Sequence, residues 1–414
     1  MPDLPYVKLK AKRNSVHPWI FLKMVARPNK RILPGQLVKV FSKEDEFIGI
    51  GFYNRKSNIN IRLISENKDQ FINEKFFYQR ILNAVNLRTD ILNIDANSDS
   101  YRIVHGEADL LSGLIIDKFN DTIVIEPFSA GYLHIMDWII NSLQKIFPDC
   151  QVTVRSDEKN GLKEGVDFSI LDKKYPPKHQ ELTIREHNIS MKVNLATGHK
   201  TGFFLDQRDN RKYMSSKVKD KDVLDLCCYS GGFAISAAKA GAKNVIGVDL
   251  DEKAIEMAQL NAKLNEVDVE FIHANTYDYL REAIKDNKSF DVIILDPPKL
   301  GRNKEELGKA KHSYHDLNCL AMQCVKDNGL LLTCSCTGSL SEQEFLSTLT
   351  GAANNAGVHM QFIKICGPGG DHPIMHSFPE GRYLKAVYAR ITKAHRTYHS
   401  VKKEDAPSSD KGSN

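Results

Sequence analysis

No apolar run in the sequence approaches the roughly 18 residues that a membrane span needs, so no transmembrane helix is expected. The basic N-terminus, MPDLPYVKLKAKR, is followed by neither an apolar core nor a small-residue cleavage site, which argues against secretion. None of the eight cysteines forms a CxxC pair, and 414 residues is far above the size at which disulfides must substitute for a core. A reducing, cytoplasmic setting is expected. Metal-ligand pairing is also missing. His312, His315, Cys319 and Cys324 follow helical spacing, with Leu317, Leu320, Ala321 and Cys324 on one apolar stripe, so no metal is expected.

What is present is a soluble globular composition, 42% hydrophobic and 26% charged, on a length that suits two or three domains. The charge is uneven. Residues 1–62 carry thirteen Lys/Arg against four Asp/Glu, a balance of +9, while the rest carries 44 against 48. A basic module on a slightly acidic body suits a polyanionic partner, with Lys12 and Arg13 as candidate contacts; a solvated Lys-rich surface gives the same numbers.

The runs QLVKVF, EFIGIGFY and NINIRLIS, separated by charged and turn-forming residues, predict a small basic β-barrel over residues 1–72. A helix near Phe71 opens a small α/β domain over 73–188, with a hairpin turn at Asn120-Asp121. From 189 to 396, strands such as KDVLDLCC and FDVIILDPP alternate with amphipathic helices. That alternation predicts a doubly wound parallel sheet with its ligand at the strand C-termini, and QFIKICG and YLKAVYARI add an antiparallel pair. The polar tail 397–414 reads as disordered.

The most informative segment is VLDLCCYSGGFAISAA, residues 223–238. A strand ends in Asp225, a tight loop carries Tyr229 and Gly231, and a helix of small residues follows. Cys227 and Tyr229 stand where a dinucleotide fingerprint needs glycine, and the acid before the loop suits an ammonium better than a pyrophosphate. The pattern looks like an S-adenosylmethionine site. A tight turn in a nicotinamide-binding or ligand-free fold is the plainer reading. Asp249 ends the next strand, 24 residues after Asp225, and can accept from both ribose hydroxyls. Asp251 beside it suits a helix N-cap. Asn275, after the third strand, can offer an amide to adenine or simply begin a turn.

The fourth strand ends in LDPPKL, where two prolines stiffen the exit and fix Asp296 at the sheet rim beside the cofactor's sulfonium, a candidate cofactor contact. The fifth ends in LLLTCSCTGSL. There Cys334 and Cys336 share a face, and Cys336 reaches the crevice. Buried cysteine is ordinarily a small apolar residue, but a thiolate at that rim can attack carbon-6 of a pyrimidine and make carbon-5 nucleophilic. In KTGFFLDQRDNR (200–211), Asp206 is assigned to the cofactor's methionine end and Arg211 to structure. The Lys-rich loop 299–311, with Lys299 and Arg302, can clamp phosphates or remain a solvated loop.

Together KTGFFLDQRDNR, DLCCYSGGF, LDPPKL, TCSCTG and DHPIMHSFPEGRYLK resemble the RlmI-type methyltransferases, which make 5-methylcytosine in large-subunit (23S) ribosomal RNA. The likeness runs through nearly the whole chain, including VHPWIF, which looks like the start of a PUA RNA-binding domain. It implies a PUA domain, a small α/β linking domain and a Rossmann-type methyltransferase domain. It also implies Cys336 as nucleophile, Asp296 as the acid on the base and Asp249 as the acid on the ribose. The implied partners are S-adenosyl-L-methionine and ribosomal RNA or a large-subunit assembly particle, with no membrane; a homodimer is left open. Asn275 departs from the Asp frequent in relatives, and Lys299 stands where another cytosine-5 class has a second cysteine. The base that removes the carbon-5 proton is not identified. The alternatives are a same-fold guanine methyltransferase, which needs no thiol, and a catalytically inactive RNA-binding assembly factor.

Overall fold

The computed structural model describes residues 4–13, 15–195, 203–301, 303 and 305–393. The tail 397–414, Arg302 and the opening Lys200-Thr201-Gly202 lie outside the described residues.

Short β-branched runs between charged turns form strands β1 (Tyr6–Lys8), β2 (Trp19–Phe21), β3 (Gln36–Phe41), β4 (Phe47–Tyr53) and β5 (Ile59–Ser65). They make a five-stranded curled sheet in the order β1-β3-β4-β5-β2. Val7, Ile20, Val38, Val40 and Ile61 fill its interior.

The middle region begins with α1 (Glu74–Asn86), whose N-cap Asn73 accepts from the Phe76 N–H. A four-stranded sheet follows: β6 (Ser100–His105), β7 (Leu114–Phe119), β8 (Thr122–Pro127) and β9 (Gln151–Val154), with α2 (Tyr132–Ile146), α3 (Glu158–Glu164) and α4 (Ser169–Lys174). Asn120 takes the left-handed conformation at φ +54° and closes the β7–β8 hairpin as its sequence suggests. Barrel residues Ile50, Phe52 and Ile64 share one core with α1, α2 and this sheet, so the two regions are packed together.

Strands β10 (Glu181–Glu186) and β11 (Ile189–Asn194) form a hairpin whose alternation of apolar and polar residues buries one face. Leu182, Ile184, Ile189 and Met191 pack against Phe119 and Val124 of the middle sheet and against Ile235 and Ala262 of the C-terminal region. The boundary expected at 188/189 thus falls at the turn of a hairpin shared by both regions.

The C-terminal region continues α5 (Arg208–Ser215), β12 (Asp222–Leu226), α6 (Gly232–Lys239), β13 (Asn244–Asp249), α7 (Glu252–Leu264), β14 (Glu270–His273), α8 (Thr276–Lys285), β15 (Phe290–Leu295), α9 (Leu307–Cys324), β16 (Val325–Ser335), α10 (Glu342–Ala356), β17 (Val358–Cys366) and β18 (Lys385–Lys393). Its seven-stranded sheet has the order β14-β13-β12-β15-β16-β18-β17, with β18 antiparallel to both neighbours. Strands covered by helices on both faces are apolar on both faces. Leu224, Leu226, Ile293, Ile294 and Leu295 are accordingly buried, each stabilising the fold by about 1.5–3 kcal/mol. The strand order reverses between β12 and β15, which opens a crevice at their C-terminal ends.

Candidate active site

The loop after β12 threads through left-handed conformations at Cys227 (φ +60°), Tyr229 (φ +50°) and Gly231 (φ +85°). A Cβ on Gly231 would come within 2.9 Å of the Phe271 ring, so packing as well as the dihedral requires glycine there. The Tyr229 N–H donates to Asp249 Oδ2 at 2.8 Å, and the Asp251 N–H donates to Asp249 Oδ1 at 2.9 Å. These two bonds fix the plane of the Asp249 carboxylate and leave each oxygen a lone pair for a diol. Asp251 itself caps α7, accepting from Lys253 and Ala254.

Asp225 is buried, and its Oδ2 accepts from the Ala234 N–H at 2.9 Å at the start of α6. Its Oδ1 has no hydrogen-bond partner among the described residues. Burial holds this carboxyl well above the usual carboxylate range, and Asp296 and Asp249 push it further in the same direction. An orphaned buried oxygen beside a helix N-terminus fits an amino acid's ammonium, the end of S-adenosylmethionine expected there. Burial likewise pushes the Cys227 thiol up to about 12. Asn275 caps α8, its side chain accepting from the Tyr277 N–H, which employs the amide oxygen in holding the helix.

Across the crevice, Asp296 follows β15, and its Oδ2 accepts from Gln207 Nε2 at 2.9 Å. Gln207 Oε1 accepts from Asn210 Nδ2 at 2.7 Å, and Asn210 Oδ1 accepts from the Tyr388 hydroxyl at 3.0 Å. This chain of donors orients both amides and steers Asp296 from behind. Gln207 and Asn210 were not among the expected site residues; their signal was the i, i+3 spacing in the first turn of a helix that faces the crevice.

The parallel register Leu295↔Thr333 sets Asp296 and Cys336 at neighbouring strand ends. Cys334 is fully buried, and burial pushes its thiol well above the ordinary range. Cys336, one residue beyond β16, is half-buried and in no disulfide. The two thiols are therefore unequal in access, which the alternation alone does not reveal. Asp206 Oδ2 accepts from the Tyr383 hydroxyl at 2.6 Å, so its carboxylate meets the segment leading into β18. Arg211 forms a buried pair with Glu186, at 2.6 Å through both Nε and Nη2, in line with the structural role expected for it.

Further buried pairs lie where the middle region meets α5 and the segment before β18. Arg88 pairs with Asp109 at 2.6 Å, Arg102 with Asp117 at 2.7 Å and Arg208 with Asp371 at 2.9 Å. Asp371 also accepts from the Arg102 N–H at 2.9 Å, which stitches β6 to the segment before β18. His105 and His372 lie 4.9 Å apart, ring to ring, and burial holds both below the ordinary histidine range. On the barrel side, Trp19 Nε1 donates to Glu107 at 2.7 Å while its ring meets Phe378 at 4.8 Å. VHPWIF thus docks the barrel beside the crevice.

Lys299 and Lys12 are exposed, and Arg13 donates to the His17 carbonyl. A separate groove of ≈ 430 Å³ on the barrel is lined by Lys10, Lys23, Arg27 and Arg55, with no acidic side chain among its described lining. Such a surface attracts phosphates. No group of three or more metal-ligating side chains occurs among the described residues, and none of their helices is long and apolar enough to cross a membrane.

The PUA-like domain family matches residues 8–66, and the family described as ribosomal protein L11 methyltransferase (PrmA) matches residues 203–296. Ribosomal RNA large subunit methyltransferase I of Vibrio vulnificus strain YJ016 is 37% identical over 393 residues, covering 92% of this chain and 98% of that protein. The protein of the same name from Erwinia tasmaniensis is 37% identical over 381 residues, covering 91% and 95%. Among solved structures, the methyltransferase SMU.776 complexed with SAH superposes with a TM-score of 0.78 at 21% identity, covering 94% of this chain and all of that one. A SAM-dependent methyltransferase from Streptococcus mutans gives 0.73 at 20% identity, covering 87% and 93%. Those two likenesses establish the fold.

Proposed function

Because the chain belongs to the family of ribosomal RNA large subunit methyltransferase I, we propose that it methylates carbon-5 of a cytosine in large-subunit ribosomal RNA through a covalent bond to Cys336. The coarser activity, S-adenosylmethionine-dependent methylation of that RNA, is the family's. The finer one rests on a single observation: a half-buried thiol stands just past the end of β16, the strand next to the one that Asp296 follows, while its neighbour Cys334 is sealed.

S-adenosylmethionine supplies an electrophilic methyl group when bound. Asp225 and the Tyr229–Gly231 loop would hold its methionine end, Asp249 its ribose, and the neighbourhood of Asn275 its adenine. Cys336 Sγ bonds to carbon-6 of cytosine, and the displaced ring electron pair makes carbon-5 nucleophilic. After methylation, loss of the carbon-5 proton returns that pair to the ring and releases the thiolate. Asp296, steered by Gln207, would hold the base. The basic groove of the barrel is a surface for RNA phosphates, alongside Lys299 and Arg302.

Large-subunit RNA containing 5-fluorocytosine tests this reading, because fluorine in place of the carbon-5 proton blocks release. The parent enzyme and Cys334→Ala should give a band that survives a denaturing gel, and Cys336→Ala should give none. Trapping by Cys336→Ala would move the nucleophile to Cys334. No trapping by any form, with guanine methylated instead, would make this a guanine methyltransferase.

A further inference from the structure

Lys385 opens β18 with only 2% of its surface exposed. Its Nζ donates to the Thr337 carbonyl at 2.7 Å and to the Tyr383 carbonyl at 2.9 Å. An ammonium has three donors, so one remains. No Asp or Glu forms an ion pair with it among the described residues. A buried cation without a counter-ion is costly, and an apolar residue of similar volume would be cheaper there. Burial accordingly lowers the pKa of Lys385 to about 8.

The charged groups around it narrow the choice of anion. On α10, Glu344 is engaged by Lys311 at 2.7 Å and by the Ser341 N–H, and Glu342 is exposed to water. Lys299 has the same sign and opposes it. Cys336 remains. It immediately precedes Thr337, whose carbonyl anchors the ammonium at 2.7 Å, which brings the charge to within one residue of the thiol. Cys334 of β16, Tyr314 of α9 and Lys385 of β18 all interact with Cys336, and the Asp296 carboxylate acts on the first two. Among these described groups, Lys385 carries a charge that favours a thiolate.

We propose that Lys385 is a positioning residue for the nucleophile: anchored by the Thr337 and Tyr383 carbonyls, its ammonium pairs with the Cys336 thiolate. The thiol proton goes to water, the ammonium keeps its own three, and no oxidant or reductant is involved. The importance of this pair for methylation rests on Cys336 acting as proposed above; the pairing itself does not.

The test is the rate of iodoacetamide alkylation of Cys336 against pH, in the full chain without RNA. It is read by mass spectrometry on the 327–364 tryptic peptide in a Cys334→Ala background, where that peptide has a single thiol. The parent profile should be centred below the free-thiol value of about 8.5. Lys385→Met should shift it upward, so that the rate at pH 7 falls about tenfold or more relative to its own high-pH plateau. Lys385→Arg should restore most of the shift. A parent profile centred at or above that of a free thiol overturns the proposal even if no variant folds, and so does an unshifted profile for a folded Lys385→Met. Trapping with 5-fluorocytosine RNA separates the two readings. A shifted profile without trapping keeps the ion pair and rejects the cytosine chemistry; trapping with an unshifted profile does the reverse.

Discussion

On the β12–β13 side of the crevice the polar groups come from one stretch of chain. Asp225, Tyr229 and Asp249 lie within 25 residues, and backbone N–H groups hold the two carboxylates. On the β15–β16 side, Gln207, Asp296, Cys336 and the Tyr383–Lys385 segment come from four separate stretches of chain, and side chains and carbonyls hold one another. The first arrangement is local: once the strand–loop–helix forms, its geometry follows from the chain's own dihedrals. The second exists only when β18 lies between β16 and β17 and the middle region packs against α5. A motif can therefore announce the first side, whereas the second must be assembled.

The largest effect should come from cutting the assembled side. Arg208 pairs with Asp371 and donates to the Ser100 carbonyl at 2.6 Å, joining α5 to β6 and to the segment before β18. Arg208→Ala leaves Asp371 buried without its guanidinium, so urea unfolding should show about 3–5 kcal/mol of lost stability. A loss below about 1 kcal/mol would mean that the target wall stands without this pair, and the contrast drawn above would fail.

A smaller effect is expected on the local side. Asp249→Ala removes a charged acceptor whose hydrogen bonds are each worth about 1.5–3 kcal/mol. Titration calorimetry should show weakened S-adenosylmethionine binding while unfolding stays cooperative. Unchanged affinity would detach Asp249 from the ribose.

The smallest effect concerns pH, and its sign differs between the two sides. His105 and His372 are held below the ordinary value of 6.5, so the unfolded chain takes up protons first. Their contribution to stability is present above pH 6.5 and is lost as the pH falls toward their folded values, by up to about 1.4 kcal/mol per pH unit for each histidine. Asp225 is raised instead, so its contribution is present below 3.8 and is lost as the pH rises through its folded value. Denaturant unfolding at pH 7.5 and at pH 5.5 should therefore show His105→Gln losing less stability on acidification than the parent, or gaining more. Equal slopes in the two proteins would remove His105 from the account.

The two sides also differ in how much of them the sequence declared. Strand and helix periods marked β12 to β16 and the helices between them, because central parallel strands are apolar on both faces and their helices on one. Asp225, Asp249 and Asp296 could be named because each ends a strand at the rim. Tyr383 and Lys385 could not, since nothing in their own neighbourhoods distinguishes a residue that reaches the crevice from one that does not. The β10–β11 hairpin was missed for a related reason: its alternation fits any half-buried pair, and only the shared packing with Phe119 and Ile235 gives it a position.

What the sequence determined by itself was the curled basic barrel, the alternating sheet and the strand-end acids, all of which follow from short-range periodicity and backbone chemistry. The tertiary structure decided which of two thiols is accessible, since Cys334 and Cys336 have the same side chain and the same strand face in the sequence. It also decided where a buried ammonium finds its partner. Both outcomes depend on what the rest of the chain packs over a given atom: burial seals Cys334, and β18 carries Lys385 to the carbonyl next to Cys336.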